Sequence, residues 1–122
     1  MAAPNLVNVT SILGKTVGGN LNTTLTTALL ANGASSNKLL KVNSVIVAND
    51  DGSNSADVTI SWHEGSNDYY IAKTVAVPAD STLVVVGKDS PIYLEENHTI
   101  RGGASHNSRL DYIISYEELD DA

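Results

Sequence analysis

His63, His98 and His106 are the only imidazoles in the chain. Neutral imidazoles are good zinc ligands, and three of them could hold a metal if a fold brought them together. His63 is followed directly by Glu64. That pair falls on a strand and its turn, however, and a zincin motif needs a helix to set two histidines at i and i+4 on one face. Surface histidines at strand ends are the expectation. Asn49–Asp57 (NDDGSNSAD) is dense in oxygen ligands. Gly52 suits a turn, but an EF-hand requires a Glu six residues after its glycine, and Val58 stands there. An Asx-rich turn is the reading, with a loose Ca²⁺ site as the alternative.

Other candidate motifs dissolve in the same way. Ser35-Ser36-Asn37-Lys38 has the form S-x-x-K, but it lacks a helix start and the partner motifs that chemistry needs. No G-x-S-x-G elbow is present. Gly18-Gly19 and Gly102-Gly103 are isolated pairs, read as turns or bulges rather than a phosphate loop. Glu95-Glu96 are adjacent at a turn, where neighbouring side chains diverge, so they are no acid–base pair across one substrate. Asn8-Val9-Thr10, Asn22-Thr23-Thr24 and Asn97-His98-Thr99 match the glycosylation sequon, as expected by chance in an Asn- and Thr-rich chain. No catalytic, cofactor-binding or metal-ligating residue is assigned, and a non-enzymatic protein is expected.

The elements that would position any site follow from composition. The chain has 122 residues, a net charge of −7, no Cys, no Phe, one Trp and five Tyr. Without Cys there is no disulfide framework, Cys-ligated zinc or thiol chemistry. An acidic balance argues against a nucleic-acid partner, which calls for a basic patch. No apolar run approaches the roughly 20 residues of a membrane helix, and Met1-Ala2-Ala3-Pro4 has neither the charged nor the apolar region of a secretory signal. The core must come from Val, Ile, Leu, Ala and a few Tyr, and stiff β-branched side chains suit pleated surfaces.

Short alternating runs bounded by turn residues recur along the chain. Leu39–Ala48 (LLKVNSVIVA) is the longest. Period two puts Leu40, Val42 and Ile46 on one face and Val45 and Val47 on the other, which predicts a central strand buried on both sides. The Asn49–Asn54 turn and the run Ala56–His63 (ADVTISWH) then predict a hairpin, with Val58, Ile60 and Trp62 inward and Thr59, Ser61 and His63 outward. Tyr69–Val77 is a strand with Tyr69, Ile71, Val75 and Val77 on one face. Thr82–Gly87 is a short apolar run. Pro91–Leu94 is an edge piece, since Pro cannot donate to a ladder. His98–Arg101 is a strand, Gly102–Ser108 a polar loop, and Leu110, Tyr112, Ile114 and Tyr116 alternate in the last strand. Glu117–Asp121 reads as a solvated acidic end. Thr23–Ala31 is strand or helix, its Thr content favouring strand. About seven to nine strands at this spacing predict an all-β chain, a single antiparallel sandwich of jelly-roll or Greek-key type.

Leu6–Val17 reads as an extended arm leading into a strand. The domain division is therefore an arm over 1–12 and a sandwich over 13–122. An apolar, Asn-rich arm is ordered most readily by pairing with a neighbour's sheet. Pro4, Asn5, Leu6, Val7, Asn8 and Val9, with the edge residues Pro91, Ile92 and Tyr93, are the candidate interaction residues.

Several of these runs resemble a known group. Lys38–Asn49, Ala56–Ile60, Tyr69–Ala79, Thr82-Leu83, Pro91–Glu96 and Ile114–Glu118 together resemble small virion structural proteins of tailed bacteriophages, especially those of aquatic and cyanobacterial hosts. The likeness covers residues 38–118 and carries no catalytic signature. It implies a β-sandwich made in the host cytoplasm and built into the virion in many copies, without cofactor, nucleic-acid or membrane partner. Within that group the expectation is a capsid decoration (cement) protein on the outer capsid surface. Its partners would be the major capsid protein or other virion proteins, and it would itself be a homo-oligomer, dimer or trimer. A neck, tail or fibre component of the same virion is the alternative. A carbohydrate-binding module is the alternative from another class, and would show Trp62 together with Tyr69 or Tyr70 on the surface. An enzyme would show two of the three histidines converging on a carboxylate.

Overall fold

Most of the Val-, Ile- and Thr-rich runs become strands in the computed structural model, which describes residues 11–120. The strands are β1 (Ser11–Asn20), β2 (Ala28–Ala31), β3 (Lys38–Asn49), β4 (Ala56–His63), β5 (Asp68–Val77), β6 (Thr82–Val86), β7 (Ile92–Leu94), β8 (Thr99–Ala104) and β9 (Leu110–Asp120). No helix occurs among the described residues.

Two antiparallel sheets face each other. The first has the order β1-β9-β3-β6, with β7 also on β3; the second has the order β2-β8-β4-β5. β9 runs along the whole of one side of β3, so β6 and β7 divide the other. The order is that of a jelly roll, an expected all-β sandwich in which successive strands mostly alternate between sheets. Val42, Val45, Val47 and Ile114 of one inner face meet Val58, Ile60 and Ile100 of the other, all of them buried.

The expected β3–β4 hairpin is not formed. β3 lies in one sheet and β4 in the other, so Asn49–Ser55 is a corner between layers. The in-sheet hairpin of consecutive strands is β4–β5, closing at His63 opposite Asp68. Its turn has Gly65 at φ 108°, a left-handed conformation that costs glycine little.

The faces of β3 also differ from strict alternation. The ladder with β9 shifts register between Val42 and Ser44, and Asn43 has no place in it. This one-residue bulge reverses the phase of the strand. Leu40, Val42, Val45, Val47 and Asn49 are all buried as a result, while Ile46 turns to the outer face. Bulges likewise break the expected β5 pattern, leaving Tyr69 and Val75 exposed.

The Gly102–Ser108 loop expectation fails at its start. Gly102, Gly103 and Ala104 are buried positions inside β8. A Cβ on Gly103 would stand 2.7 Å from the carbonyl oxygen of Thr24 and 2.8 Å from that of Asn22, so the residue 22–25 segment lies directly on this backbone. Thr59 and Ser61, expected outward, are buried and hydrogen-bonded: the Thr59 hydroxyl accepts from the Thr74 N–H at 3.1 Å, and Ser61 donates to Asp68 at 3.4 Å. The acidic end is part of β9 as far as Asp120, with Leu119 buried. Thr23–Ala31 yields a strand only at Ala28–Ala31. Ser11 and Ile12 of the expected arm are the first residues of β1, paired with Asp120 and Leu119; Pro4, Asn5, Leu6, Val7, Asn8 and Val9 lie outside the described residues.

Two buried asparagines tie the loops to the sandwich. Asn32 donates to the carbonyls of Lys38 and Leu94, each at 2.8 Å, and its own carbonyl accepts from Ser36. Asn49 donates to the carbonyls of Asn54 and Val77, each at 2.9 Å, and accepts from the Asp51 N–H. Each amide satisfies one buried strand-end carbonyl, of Leu94 or Val77, that would otherwise lack a donor.

Candidate functional site

The outer face of the first sheet carries an exposed apolar row that the strand registers build. Ile46 pairs with Ile113 on one side and with Val84 on the other. Side chains paired this way share a face, so β9, β3 and β6 present the row Ile113–Ile46–Val84. Ile113 is 43% exposed and Val84 60% exposed. Gly18 of β1 extends the row beyond Ile113 without a side chain. The sequence reading missed these three residues. Their signal was present in Val45-Ile46-Val47, Ile113-Ile114 and the unbroken Leu83-Val84-Val85-Val86 of β6, because apolar residues at consecutive strand positions cover both faces.

Further along the same face lies a shallow depression of about 450 Å³ lined by Lys41, Asn43, Ser44, Lys88 and Glu117. The Asn43 bulge opens it, since β7 pairs only as far as Val42 and β6 begins at Val45. Lys41 and Glu117 stand 3.9 Å apart across its floor, a loose ion pair worth little in solvent. The expected edge residues border this region. Tyr93 pairs with Lys41 and is exposed; Ile92 pairs with Val42 and turns toward the core; Pro91 precedes the strand and is exposed.

Near the open end of β1 the ion pairs are tighter. Glu118 receives Lys15 at 3.1 Å and Lys38 at 3.3 Å. Burial works to raise the Glu118 carboxyl, but the hydrogen bonds and charges of the two lysines outweigh it and hold it below the ordinary Glu value.

His63 pairs with Thr99, next to His98, so these two histidines are neighbours at one end of the second sheet, near Glu64, while His106 stands apart. His63 sits on the outer face of the second sheet, its Nδ1 3.1 Å from Asp68, which also faces Arg101 at 3.5 Å. His98 accepts from the Glu95 N–H through Nδ1 and presents its ring edge-on to Trp62, centroids 5.2 Å apart. His106 is beside Ser105 at the other end of the sandwich. Glu64 feels both His63 and His98, yet its oxygen is held by the N–H groups of Asn67 and Ser66. These hydrogen bonds, more than the imidazoles, keep its carboxyl below the ordinary value. Among the described residues no three His, Asp or Glu side chains gather as a metal-holding group.

Trp62 and Tyr69 touch, with ring centroids 5.6 Å apart, but they do not form a shared surface platform. Tyr69 is 53% exposed, whereas Trp62 packs against the core with its Nε1 sealed from solvent and without an acceptor. Tyr70, the next residue, faces the opposite side of the sheet, where Lys73 lies 4.9 Å above its ring.

The oxygen-rich turn is organised by its own backbone. Asp51 accepts the N–H groups of Ser53 and Asn54 and faces Arg109 at 3.3 Å, and its carboxyl is lowered chiefly by those two N–H donors. Asp50 is raised above the ordinary Asp value, first by sharing a hydrogen bond with Asp111 and then by burial and the neighbouring negative charges. Asp111 in turn accepts from the Asn20 side chain.

No family model matches the chain, and no curated protein matches it. Solved structures do. A pentameric capsid protein isolated from metagenomic phage sequences aligns over 98% of this chain and 66% of its own, at 14% identity and a TM-score of 0.39. A structure of such a protein solved by iodide phasing aligns over 98% of this chain and 71% of its own, at 14% identity and a TM-score of 0.38. The chain thus spans about two thirds of the length of the solved capsid proteins it matches.

Proposed function

We propose that this chain is a non-enzymatic structural protein of a phage virion, and within the virion a decoration (cement) protein that clamps the major capsid lattice from outside. The observation that carries the reading is the outer face of the first sheet. Ile113 and Val84 are exposed on either side of the half-buried Ile46, and apolar side chains brought together across three strands are the kind of surface that serves as a docking face. The runs that resemble virion proteins supply β3, β4, β5, β7 and β9 of this fold. The jelly-roll order is one that viral capsid domains use, as do lectins, so the order alone does not choose between them.

Attachment to a repeating lattice needs only modest contacts per copy, because many copies bind together. Residues 4–9 and the edge segment Pro91–Tyr93 are assigned to contact the lattice, with Pro91 and Tyr93 exposed there and Ile92 seating the edge on the core, and the apolar row is a further contact. Copy number in purified particles, measured against the major capsid protein by quantitative mass spectrometry, tests the reading. A ratio near one per capsid subunit or per lattice contact is expected. A few dozen copies or fewer would move the protein to neck, tail or fibre, and absence from the particle would end the virion reading. Deleting residues 2–10 is expected to abolish attachment and leave the sandwich folded; full occupancy by that variant would overturn the role of the arm.

A further inference from the structure

The sheet edges of this molecule are unequal. β2 is four residues long. β5 loses register twice against β4 and holds Thr74 at φ 54°. β6 and β7 leave a gap at Asn43 and Ser44, and Pro91 stands before β7. Short length, bulges and proline are the devices by which edges are kept from recruiting further strands. β1 lacks all three, and the one edge charge it carries, Lys15, is taken up by Glu118 of the same chain. It runs for ten residues in unbroken register with β9 and contains no Pro, and among the described residues no strand pairs with its other side.

Its side chains select a partner. β1 carries one charge, Lys15, which Glu118 of the same chain answers at 3.1 Å. No Asp or Glu lies in Ser11–Asn20, although the chain as a whole carries −7. Two copies meeting along β1 therefore bring no β1 carboxylates together, in a chain whose net charge of −7 makes copies repel at long range. The strand is also lopsided. Ile12 and Leu13 are exposed at one end, whereas Gly18 and Gly19 carry no side chain at the other, where the Tyr112 ring of β9 lies alongside Gly19.

Antiparallel pairing of β1 with itself must match residues of the same face, so the two-fold axis passes through a residue. Centring on Lys15 would oppose two ammonium groups. Centring on Thr16 sets Thr16 against the partner's Thr16, Lys15 against the partner's Val17, Gly14 against the partner's Gly18, and Leu13 over the partner's Gly19. Leu13 of each copy then lies beside the Tyr112 ring that borders the other's Gly19, an apolar contact on either side of the axis. We propose that β1 is an isologous two-fold contact that joins two copies of this chain into one continuous sheet. Nine paired residues on each side supply about eight to ten backbone hydrogen bonds, the number a stable interface carries.

The contact is read in free protein, so its failure and that of the virion reading are separate results. Sedimentation equilibrium of the full chain is expected to show a dimer. Thr16→Glu and Thr16→Lys each place like charges directly opposite one another and are expected to weaken the dimer by about tenfold or more. An equimolar mixture of the two variants is expected to regain it, because only a self-opposed residue behaves so. A monomeric wild type, variants that dimerise undiminished, or a mixture that stays monomeric would each overturn the proposal. Circular dichroism checks that the variants fold. Amide hydrogen exchange of the wild type gives a second reading: β1 amides are expected to be protected at high concentration and to open on dilution, and concentration-independent exchange there would overturn the contact.

Discussion

Ile60 fills the space that a side chain on Gly102 would need. The two residues pair across β4 and β8, and a Cβ on Gly102 would stand 2.6 Å from the Ile60 Cδ1 and 2.6 Å from the Thr59 carbonyl oxygen. The Ile60 side chain can lie over β8 because this position has no side chain. Gly102→Ala is expected to destabilise the fold by about 2–3 kcal/mol through overpacking. Adding Ile60→Val removes the Cδ1 clash but leaves the backbone one, so the double variant recovers part of the loss. Urea unfolding of the two single variants and the double variant measures the coupling.

Asn49 is buried to 4% exposure with both N–H groups on carbonyls. Asn49→Ala strands two acceptors and is expected to cost about 2–3 kcal/mol. Asn49→Asp aims a carboxylate at the same carbonyls and is expected to cost more at neutral pH. Its folded-state pKa would be raised, so its stability relative to wild type improves as the pH falls through that value. Melting temperatures at neutral and acid pH give the comparison.

The carboxylates pull in opposite directions on acidification. Glu118, Asp51 and Glu64 are held below their ordinary values. The stability they contribute is present above the ordinary carboxylate range and is lost as pH falls through the lowered values. Asp50 is raised. Its contribution is full below the ordinary Asp value and is lost as pH rises through the raised one. Asp50→Asn is therefore expected to raise the melting temperature at neutral pH and leave it unchanged in acid. Glu118→Gln is expected to lower it at neutral pH and to flatten the acid limb of the stability profile.

Trp62 keeps an unpartnered Nε1 inside the fold. Trp62→Phe removes the stranded donor and retains a ring against Tyr69 and His98, so it is expected to change stability by less than about 1.5 kcal/mol. Trp62→Ala opens a cavity and is expected to cost about 3 kcal/mol or more. As Trp62 is the single tryptophan of the chain, near-ultraviolet circular dichroism follows unfolding of these variants where tryptophan fluorescence no longer can.

Val84 and Ile113 flank Ile46 on the proposed docking face. Val84→Asp and Ile113→Asp are expected to leave the unfolding transition within about 0.5 kcal/mol of wild type, as exposed substitutions do. Attachment to purified particles is expected to fall about tenfold or more, measured by pelleting with virions. Unchanged pelleting would place the docking face elsewhere.

Strand positions are legible in the chain without any fold. The bounds of β4, Ala56–His63, follow from period two alone, and the last strand follows from Leu110, Tyr112, Ile114 and Tyr116. Both are local consequences of alternating side chains on a pleated backbone. Pro91–Leu94 reads as an edge for a similar reason, because a missing N–H is a property of the residue itself. What each strand pairs with, and which face it buries, came from long-range packing. An Asp-Gly-containing turn between two β runs reads locally as a hairpin, yet Asn49 anchors it as a corner by reaching Val77, 28 residues away. The Asn43 bulge reverses half of β3 because the inner face of the sandwich rewards Val45 and Val47 more than it rewards regular pleating. Gly102-Gly103 resembles a turn in one dimension and is a strand in three, since the crowding that demands glycine comes from Ile60, Thr59, Asn22 and Thr24. The apolar row of Ile113, Ile46 and Val84 has the same origin: its residues come from β9, β3 and β6, and only long-range pairing sets them side by side.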